Sequence, residues 1–219
     1  MAGGPVFGIV AALGAVSLGS AAIFPALKGY GWFRSGIKTL AIGAVSVWAL
    51  YLGHFGLALA LALSALGDLA LSRPGERAFL IGIICFAAAH IAYVVLFLSA
   101  GFYDASPAAI SDLYPRTAAA LILVTIGFWL GRLYAKNAGA LAMPVRAYVT
   151  IIVLMGLGAL TLPANASGLL VMAGAMSFMI SDALIGQQKF LNIGWTGQDF
   201  AIWWLYYIGQ IAIFVGLSV

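Results

Sequence analysis

The sequence predicts an all-α polytopic membrane protein, a bundle of eight transmembrane helices. Hydrophobic residues make up 64% of the 219 residues and charged residues only 7%, whereas a soluble domain has about 25% charged residues. The mean hydropathy is +1.12 over the whole chain. So few charges cannot form a polar surface around an apolar interior, so the bilayer must be the solvent. The single cysteine and the scattered basic residues exclude a disulfide scaffold and a nucleic-acid module.

Glycine, proline and charged clusters divide the sequence into apolar segments, and a transmembrane helix needs about 20 such residues. We place spans at about residues 6–26, 37–52, 55–72, 78–99, 117–133, 146–162, 167–187 and 200–218. Only residues 51–55 separate the second span from the third, so one long kinked helix is the alternative there. The sequence therefore predicts a single integral membrane domain over residues 1–219.

Basic residues flank these spans asymmetrically. Nine of the ten lie in or beside the loops after the first, third, fifth and seventh spans, and only Arg116 lies on the opposite side. The nine are Lys28, Arg34, Lys38, Arg73, Arg77, Arg132, Lys136, Arg146 and Lys189. Because cytoplasmic loops are enriched in Lys and Arg, both termini should lie outside the cytoplasm. We expect an integral protein of the plasma membrane, the inner membrane of a bacterium.

Two carboxylates lie inside predicted spans. Asp68 in SALGDLALS and Asp182 in FMISDALIG each fall about one turn before the cytoplasmic end of their span. Inserting an ionised side chain at the centre of a span costs roughly 2.5 to 3.5 kcal/mol of free energy. Each of these residues should therefore have a structural or a functional role. The structural reason would be an interhelical hydrogen bond or a basic neighbour. Gly67 and Ser181, the small residues before them, predict that a neighbouring helix approaches closely.

His90 lies near the middle of the fourth span. Phe86, Tyr93 and Phe97 lie at helical spacings from it on the same face. A membrane histidine is about as often a partner in helix packing as a catalytic group, and the aromatic side chains beside it favour packing.

The remaining interior polar residues converge on the cytoplasmic half of the predicted bundle, although aromatic belts and basic anchors explain them almost as well as function does. They are Lys38, which opens the second span, Tyr148, which opens the sixth, and Tyr206, Tyr207 and Gln210 of the eighth. Their convergence predicts a polar cavity that opens toward the cytoplasmic leaflet.

Paired carboxylates in a low-dielectric site suggest acid–base chemistry. They need not ionise together, so that one can donate a proton while the other stabilises a cation or activates water, as in glycosidases. The sequence has no HExxH motif, Cys/His cluster, GxSxG elbow or glycine-rich phosphate loop, so we expect no metal and no cofactor. The alternative from another class is a small transporter or proton-coupled permease in which the two Asp residues relay protons or bind a cation.

These motifs also resemble a known family. The segments SALGDLAL, FLIG, FAAAHIAY, MPVRAY, MSFMISDALI with Phe190, and YYIGQ resemble the YhhN-like lysoplasmalogenase family. The resemblance runs from Lys38 to Gln210. Its most specific parts are the GD of the third span, the H-x-x-Y of the fourth and the SD of the seventh.

The resemblance implies an eight-helix membrane enzyme that hydrolyses the vinyl ether bond of lysoplasmalogens to a fatty aldehyde and glycerophospho-ethanolamine or glycerophospho-choline. Another lysolipid or ether lipid is the alternative substrate. The hydrolysis begins with proton transfer to the β-carbon, and the resulting oxocarbenium ion needs a negative charge and a water. Asp68 and Asp182 can divide these roles. Asp182 is preferred as the acid because the apolar run Phe178, Met179 and Ile180 precedes it.

The expected site is therefore built around three catalytic candidates, namely Asp68, Asp182 and His90. The expected substrate-binding residues are Lys38, Ser64, Tyr93, Tyr148, Ser181, Tyr206, Tyr207 and Gln210. The expected partners are a lysophospholipid substrate and membrane lipids, with no nucleic acid. A phosphate that enters from the inner leaflet should rest near Lys38, Arg73, Arg77 or Lys189, because the carboxylates are expected close to that face.

Overall fold

The computed structural model describes residues 4–103 and 110–218. In these ranges the chain forms eight α-helices and no strand, which confirms the all-α prediction for the described residues. The helices are α1 (Gly4–Ile23), α2 (Trp32–Tyr51), α3 (Phe55–Leu71), α4 (Glu76–Tyr103), α5 (Ile110–Asn137), α6 (Ala142–Ala159), α7 (Ala166–Leu191) and α8 (Gln198–Ser218). Short 3₁₀ turns follow α1 at Phe24–Ala26 and precede α6 at Gly139–Leu141.

Six of these helices, α1 and α4 to α8, are long and apolar enough to cross a membrane. They carry many exposed aliphatic and aromatic side chains, which is the surface that lipid requires. The chain thus has the helices of an integral membrane protein. With 17 residues, α3 is shorter, and α2 carries Arg34 and Lys38 in its first two turns. The count of eight spans stays a prediction.

The connection between α2 and α3 separates two helices, so the alternative of one long kinked helix is wrong. The first ends at Tyr51 and the second begins at Phe55. Gly53 between them has a φ of 84°, a left-handed conformation that glycine adopts without a steric penalty.

Two helices begin earlier than predicted, which moves candidate residues inward. Because α2 begins at Trp32 and α6 at Ala142, Lys38 and Tyr148 lie in the second turn of their helices and do not open them. Charged residues such as Arg34 are compatible with a helix end, since a long side chain can cover apolar surface with its stem while its charged group reaches water. The apolar segment alone therefore underestimates the helix.

In α7 and α8 the helix ends also differ from the predicted ones, whereas the membrane side of these residues stays a prediction. Because α7 continues to Leu191, Asp182 lies nine residues before its end, which is about 2.5 turns where one turn was predicted. Gln210, predicted in the first part of its span, lies in the middle of α8, which already begins at Gln198.

The chain divides into two compact units, the first ending at Ala92 within α4 and the second beginning at Tyr93. In the first unit, small residues bring neighbouring helices together. The Ser46 hydroxyl in α2 donates a hydrogen bond of 2.7 Å to the Ala58 carbonyl in α3. A Cβ atom on Gly67 would lie 2.6 Å from the Phe86 ring in α4. The predicted close approach at Gly67 is confirmed.

In the second unit, α7 and α8 pack at backbone contact distance. A Cβ atom on Gly174 would lie 2.7 Å from the Gly209 carbonyl oxygen. The Ser181 hydroxyl donates a hydrogen bond of 3.0 Å to the Ile202 carbonyl. The predicted close approach at Ser181 is therefore confirmed, since small residues let transmembrane backbones meet.

We expect Gly174→Ala to lower the free energy of unfolding by about 1 to 3 kcal/mol, because the added methyl group overpacks the contact between α7 and α8. Gly43→Ala is the control, since a Cβ atom there meets nothing within 4 Å and alanine is the better helix former. Thermal unfolding in detergent measures both variants. Equal melting temperatures would show that the two helices adapt without cost.

Candidate functional site

In the first unit, Asp68 forms an ion pair with Lys38. The Lys38 Nζ lies 2.9 Å from the Asp68 Oδ1, and the side chains are 16% and 1% exposed, respectively. The second turn of α2 meets the last turn of α3 here. A buried charge is tolerated when an opposite charge compensates its lost hydration, so the basic neighbour that the structural explanation requires is present. The pair also fixes the orientation of the carboxylate.

The loop before α2 is held by Arg73, which follows α3. The Arg73 Nη1 donates hydrogen bonds to the Tyr30 carbonyl at 2.7 Å and to the Ser35 hydroxyl at 3.3 Å. Its guanidinium carbon lies 4.0 Å from the centre of the Trp32 ring. The sequence predicted Arg73 as a contact for a lipid phosphate, because nothing in the local sequence indicates which backbone carbonyl the guanidinium meets.

The four basic residues expected near a lipid phosphate differ in what they contact. Lys38 pairs with Asp68, and Arg73 binds protein oxygens. Arg77 and Lys189 are exposed. A phosphate would thus compete with intramolecular partners at the first two residues.

His90 and Ser64 are fully buried and contact their own helices. The His90 Nδ1 lies 2.5 Å from the Phe86 carbonyl oxygen. Because a carbonyl only accepts, Nδ1 carries the proton in this contact. The Ser64 hydroxyl donates to the Ala60 carbonyl at 3.0 Å, one turn before it. The prediction that His90 lies mid-helix on a buried aromatic face is confirmed.

In the second unit, Tyr148 of α6 contacts Asp182 of α7. The Tyr148 hydroxyl donates a hydrogen bond of 2.9 Å to the Asp182 Oδ2. Phe178 and Met179 are buried as expected, whereas Ile180 is 43% exposed. The predicted apolar surroundings of Asp182 are therefore right on one side only, since a helix turns successive side chains toward different neighbours.

A second tyrosine, Tyr134, binds the adjacent position of α7. Its hydroxyl donates a hydrogen bond of 2.9 Å to the Ala183 carbonyl. Its ring lies against Gly186, where a Cβ atom would come within 2.6 Å. Sequence reasoning missed Tyr134, although Gly186 one turn after Asp182 is a signal for a close neighbour.

We expect Tyr148→Phe to lower kcat about 10-fold, because a hydrogen bond is worth roughly 0.5 to 1.5 kcal/mol and this one also orients the Asp182 carboxyl group. The matched control is Tyr134→Phe, which removes a hydrogen bond to the neighbouring backbone and should lower thermal stability while keeping kcat within threefold. Steady-state kinetics and melting curves of both variants distinguish a catalytic from a structural role of the Tyr148 hydroxyl. An equal loss of kcat in both would assign Tyr148 a structural role alone.

Tyr93 of α4 and Gln210 of α8 form a buried polar pair. The Tyr93 hydroxyl donates a hydrogen bond to the Gln210 Oε1 at 2.5 Å. Both side chains are 0% exposed. Tyr93 of the H-x-x-Y motif and Gln210 of the YYIGQ motif therefore meet in the second unit.

Tyr206 and Tyr207 are buried among aromatic rings. Tyr206 meets the Phe178 ring edge-on at 5.1 Å between centroids, and Tyr207 stacks on Trp203 at 6.0 Å. An aromatic belt at the lipid surface is thus the wrong explanation for these two residues. Ser181, also predicted to bind substrate, gives its hydroxyl to the Ile202 carbonyl.

The structure therefore brings the predicted residues together in three pairs, Lys38 with Asp68 in the first unit and Tyr148 with Asp182 and Tyr93 with Gln210 in the second. Ser64, Ser181 and His90 make hydrogen bonds to backbone carbonyls. Within residues 4–103 and 110–218, no group of three or more His, Cys, Asp or Glu side chains could hold a metal ion.

Comparison with known proteins gives one match. The family model described as the YhhN family matches residues 33–217, which is nearly the whole chain. The match includes every residue of the three pairs. No curated protein and no solved structure matches the chain.

Proposed function

Because the chain belongs to the YhhN family, we propose that it is a membrane hydrolase that cleaves the vinyl ether bond of a lysoplasmalogen. The observation that supports this reaction most directly is the pair of carboxylates inside apolar helices, each held by a specific partner. Asp68 has the Lys38 ammonium and Asp182 has the Tyr148 hydroxyl. Burying a carboxylate inside an apolar helix costs free energy, and such carboxylates are characteristic of functional sites.

The proposed reaction needs a proton donor and an anion. A carboxylic acid transfers its proton to the β-carbon of the vinyl ether, which leaves an oxocarbenium ion. Water adds to the cationic carbon and gives up a proton, and the hemiacetal then breaks down to a fatty aldehyde and the glycerophospho-ethanolamine or glycerophospho-choline alcohol. The catalytic requirement is thus one acid and one group that stabilises the cation.

The contacts suggest how these roles are divided. In its ion pair Asp68 is the anion, which suits it to stabilise the oxocarbenium ion or to take a proton from water. Asp182 accepts from a neutral hydroxyl, which is compatible with the acid form as well as the ionised form, so we assign it the proton donor. His90 is the candidate for a further proton carrier.

The decisive experiment is to incubate the purified protein in detergent with a 1-alkenyl lysophospholipid and to measure the released aldehyde. The saturated 1-alkyl analogue should release none, because it has no β-carbon to protonate. Fatty acid released from a 1-acyl lysophospholipid, without aldehyde from the alkenyl one, would favour the hydrolase of another lysolipid. Proton-driven uptake by liposomes without any hydrolysis would favour the permease.

The membrane orientation is part of the proposal. In the plasma membrane of a bacterium, both termini lie outside the cytoplasm, because the basic residues cluster on one side of the predicted spans. A C-terminal fusion to a reporter that is active only in the cytoplasm should be silent. Full reporter activity would mean an odd number of spans or an inverted chain.

A further inference from the structure

Gln210 has one polar atom that the protein does not use. Its Oε1 accepts the Tyr93 hydroxyl, while its Nε2 has no hydrogen-bond partner among the described residues. The side chain is 0% exposed, so bulk water does not replace the missing partner. A buried donor without an acceptor costs about 1 to 3 kcal/mol, and native proteins keep few of them.

Exchanging the two ends of the amide does not remove the unpaired atom. In the exchanged orientation Nε2 would donate to the Tyr93 hydroxyl, and Oε1 would become the atom without a partner. The hydroxyl group would then also need a new acceptor for its own proton, so the orientation with Oε1 toward Tyr93 is the better one. In that orientation Tyr93 turns the N–H groups of Gln210 away from itself.

Gln198 in the first turn of α8 shows how a buried glutamine is satisfied when its role is structural. It is 1% exposed, its Oε1 accepts from the Trp195 backbone N–H at 3.1 Å, and its Nε2 donates to the Leu184 carbonyl at 3.1 Å. The same helix therefore holds one glutamine with both ends bound and one with a single end bound. Only the second has a donor available to a ligand.

The apolar surroundings limit what the ligand can be. The buried Phe97 stacks on Tyr93 with 5.8 Å between ring centroids, and Ile213 and Phe214, which follow Gln210 on α8, are also buried. A neutral amide N–H in such surroundings suits a neutral oxygen with lone pairs. A phosphate would need positive charge to compensate for its dehydration.

We propose that the Gln210 amide, oriented by Tyr93, binds one neutral oxygen of the reacting system. This inference rests on the proposed function, which offers two such oxygens. One is the free hydroxyl on the glycerol of the lysolipid, and the other is a water molecule. The hydroxyl would make Gln210 the residue that distinguishes a lysolipid from a lipid acylated at that position.

The test combines a protein variant with a substrate variant. Gln210→Met keeps an unbranched side chain of similar volume and removes the donor. The substrates are a 1-alkenyl lysophosphatidylethanolamine and its 2-deoxy analogue, in which hydrogen replaces the free hydroxyl. Gln198→Met is the matched control. If Gln210→Met does not fold, Tyr93→Phe combined with Gln210→Met removes both partners and leaves neither unpaired.

If Nε2 binds the hydroxyl, the wild type should lose about 10- to 100-fold in kcat/KM on the 2-deoxy analogue, since an unpaired donor carries that penalty. Gln210→Met should then treat both substrates alike, and Gln198→Met should discriminate as the wild type does. If Nε2 binds water, Gln210→Met should be slower on both substrates by the same factor. An active wild type with an equally active Gln210→Met on both substrates would overturn the proposal.

A binding measurement separates this inference from the proposed function. Wild type that releases no aldehyde would refute the function alone. The saturated 1-alkyl lysolipid with the free hydroxyl should still raise the melting temperature of the wild type more than its 2-deoxy analogue does, and Gln210→Met should lose that difference. Equal shifts for both lipids in both proteins would overturn the subsite.

Discussion

Asp182→Asn is expected to lower kcat by at least about 100-fold and up to 10⁴-fold, the range for a general acid or base. Asparagine keeps the volume and still accepts from Tyr148, but it cannot transfer a proton. Thermal stability in detergent should change little, because the hydrogen bond to Tyr148 is retained. Aldehyde release and melting curves of the purified variant are the measurements.

The matched control is Asp199→Asn, since Asp199 is an exposed carboxylate that accepts a hydrogen bond of 2.9 Å from Gln188. Its kcat should stay within a fewfold of wild type. Combining Asp182→Asn with Asp68→Asn should be hardly worse than the worse single variant, because residues that serve one reaction are strongly non-additive. Activity of Asp182→Asn near that of wild type would remove Asp182 from the mechanism and direct attention to His90.

Lys38→Met should cause the largest loss of stability, about 3 to 5 kcal/mol, because it removes the ammonium group that pairs with the buried Asp68 carboxylate. Activity should fall with it, since the carboxylate then loses its fixed orientation or takes up a proton. The comparison of interest is with the combined Lys38→Met and Asp68→Asn variant, which has no buried charge at this position. Unfolding in detergent measures the first effect and aldehyde release the second.

The combined variant should recover most of the stability and none of the activity. That pattern separates a carboxylate needed for chemistry from one needed only for packing. Recovery of both stability and activity would show that the ion pair has a structural role alone. A Lys38→Met protein as stable as wild type would mean that the ion pair stabilises the fold little more than hydration of the separate charges does.

The sequence was sufficient to find the residues whose cost in lipid is high. Asp68 and Asp182 are conspicuous because a carboxylate in an apolar helix is costly and is kept only for a structural or functional role. Gly67 and Ser181 are conspicuous because small residues indicate where transmembrane helices make contact. Helix ends were predicted less well, since an apolar segment ends where charge begins while a helix with Arg34 or Lys189 continues.

Partners across helices were the harder part to predict. Spacing along one helix indicates which side chains share a face, but not which backbone carbonyl of another helix they reach. The hydrogen bonds of Tyr134 and Arg73 belong to this class. So does the choice of Lys38 as the counter-charge of Asp68, because Arg34 lies on the same helix one turn earlier.

The pairing of α2 with α3 has a consequence for how the chain enters the bilayer. The helix α2 carries two positive charges, and α3 is only 17 residues long with a negative charge near its end. Each helix alone would therefore insert poorly into the bilayer. The connection between them is short, with Gly53 in a left-handed turn, and the Lys38–Asp68 pair neutralises one charge of each helix. We therefore expect the translocation machinery to release the two helices into lipid together, as a hairpin.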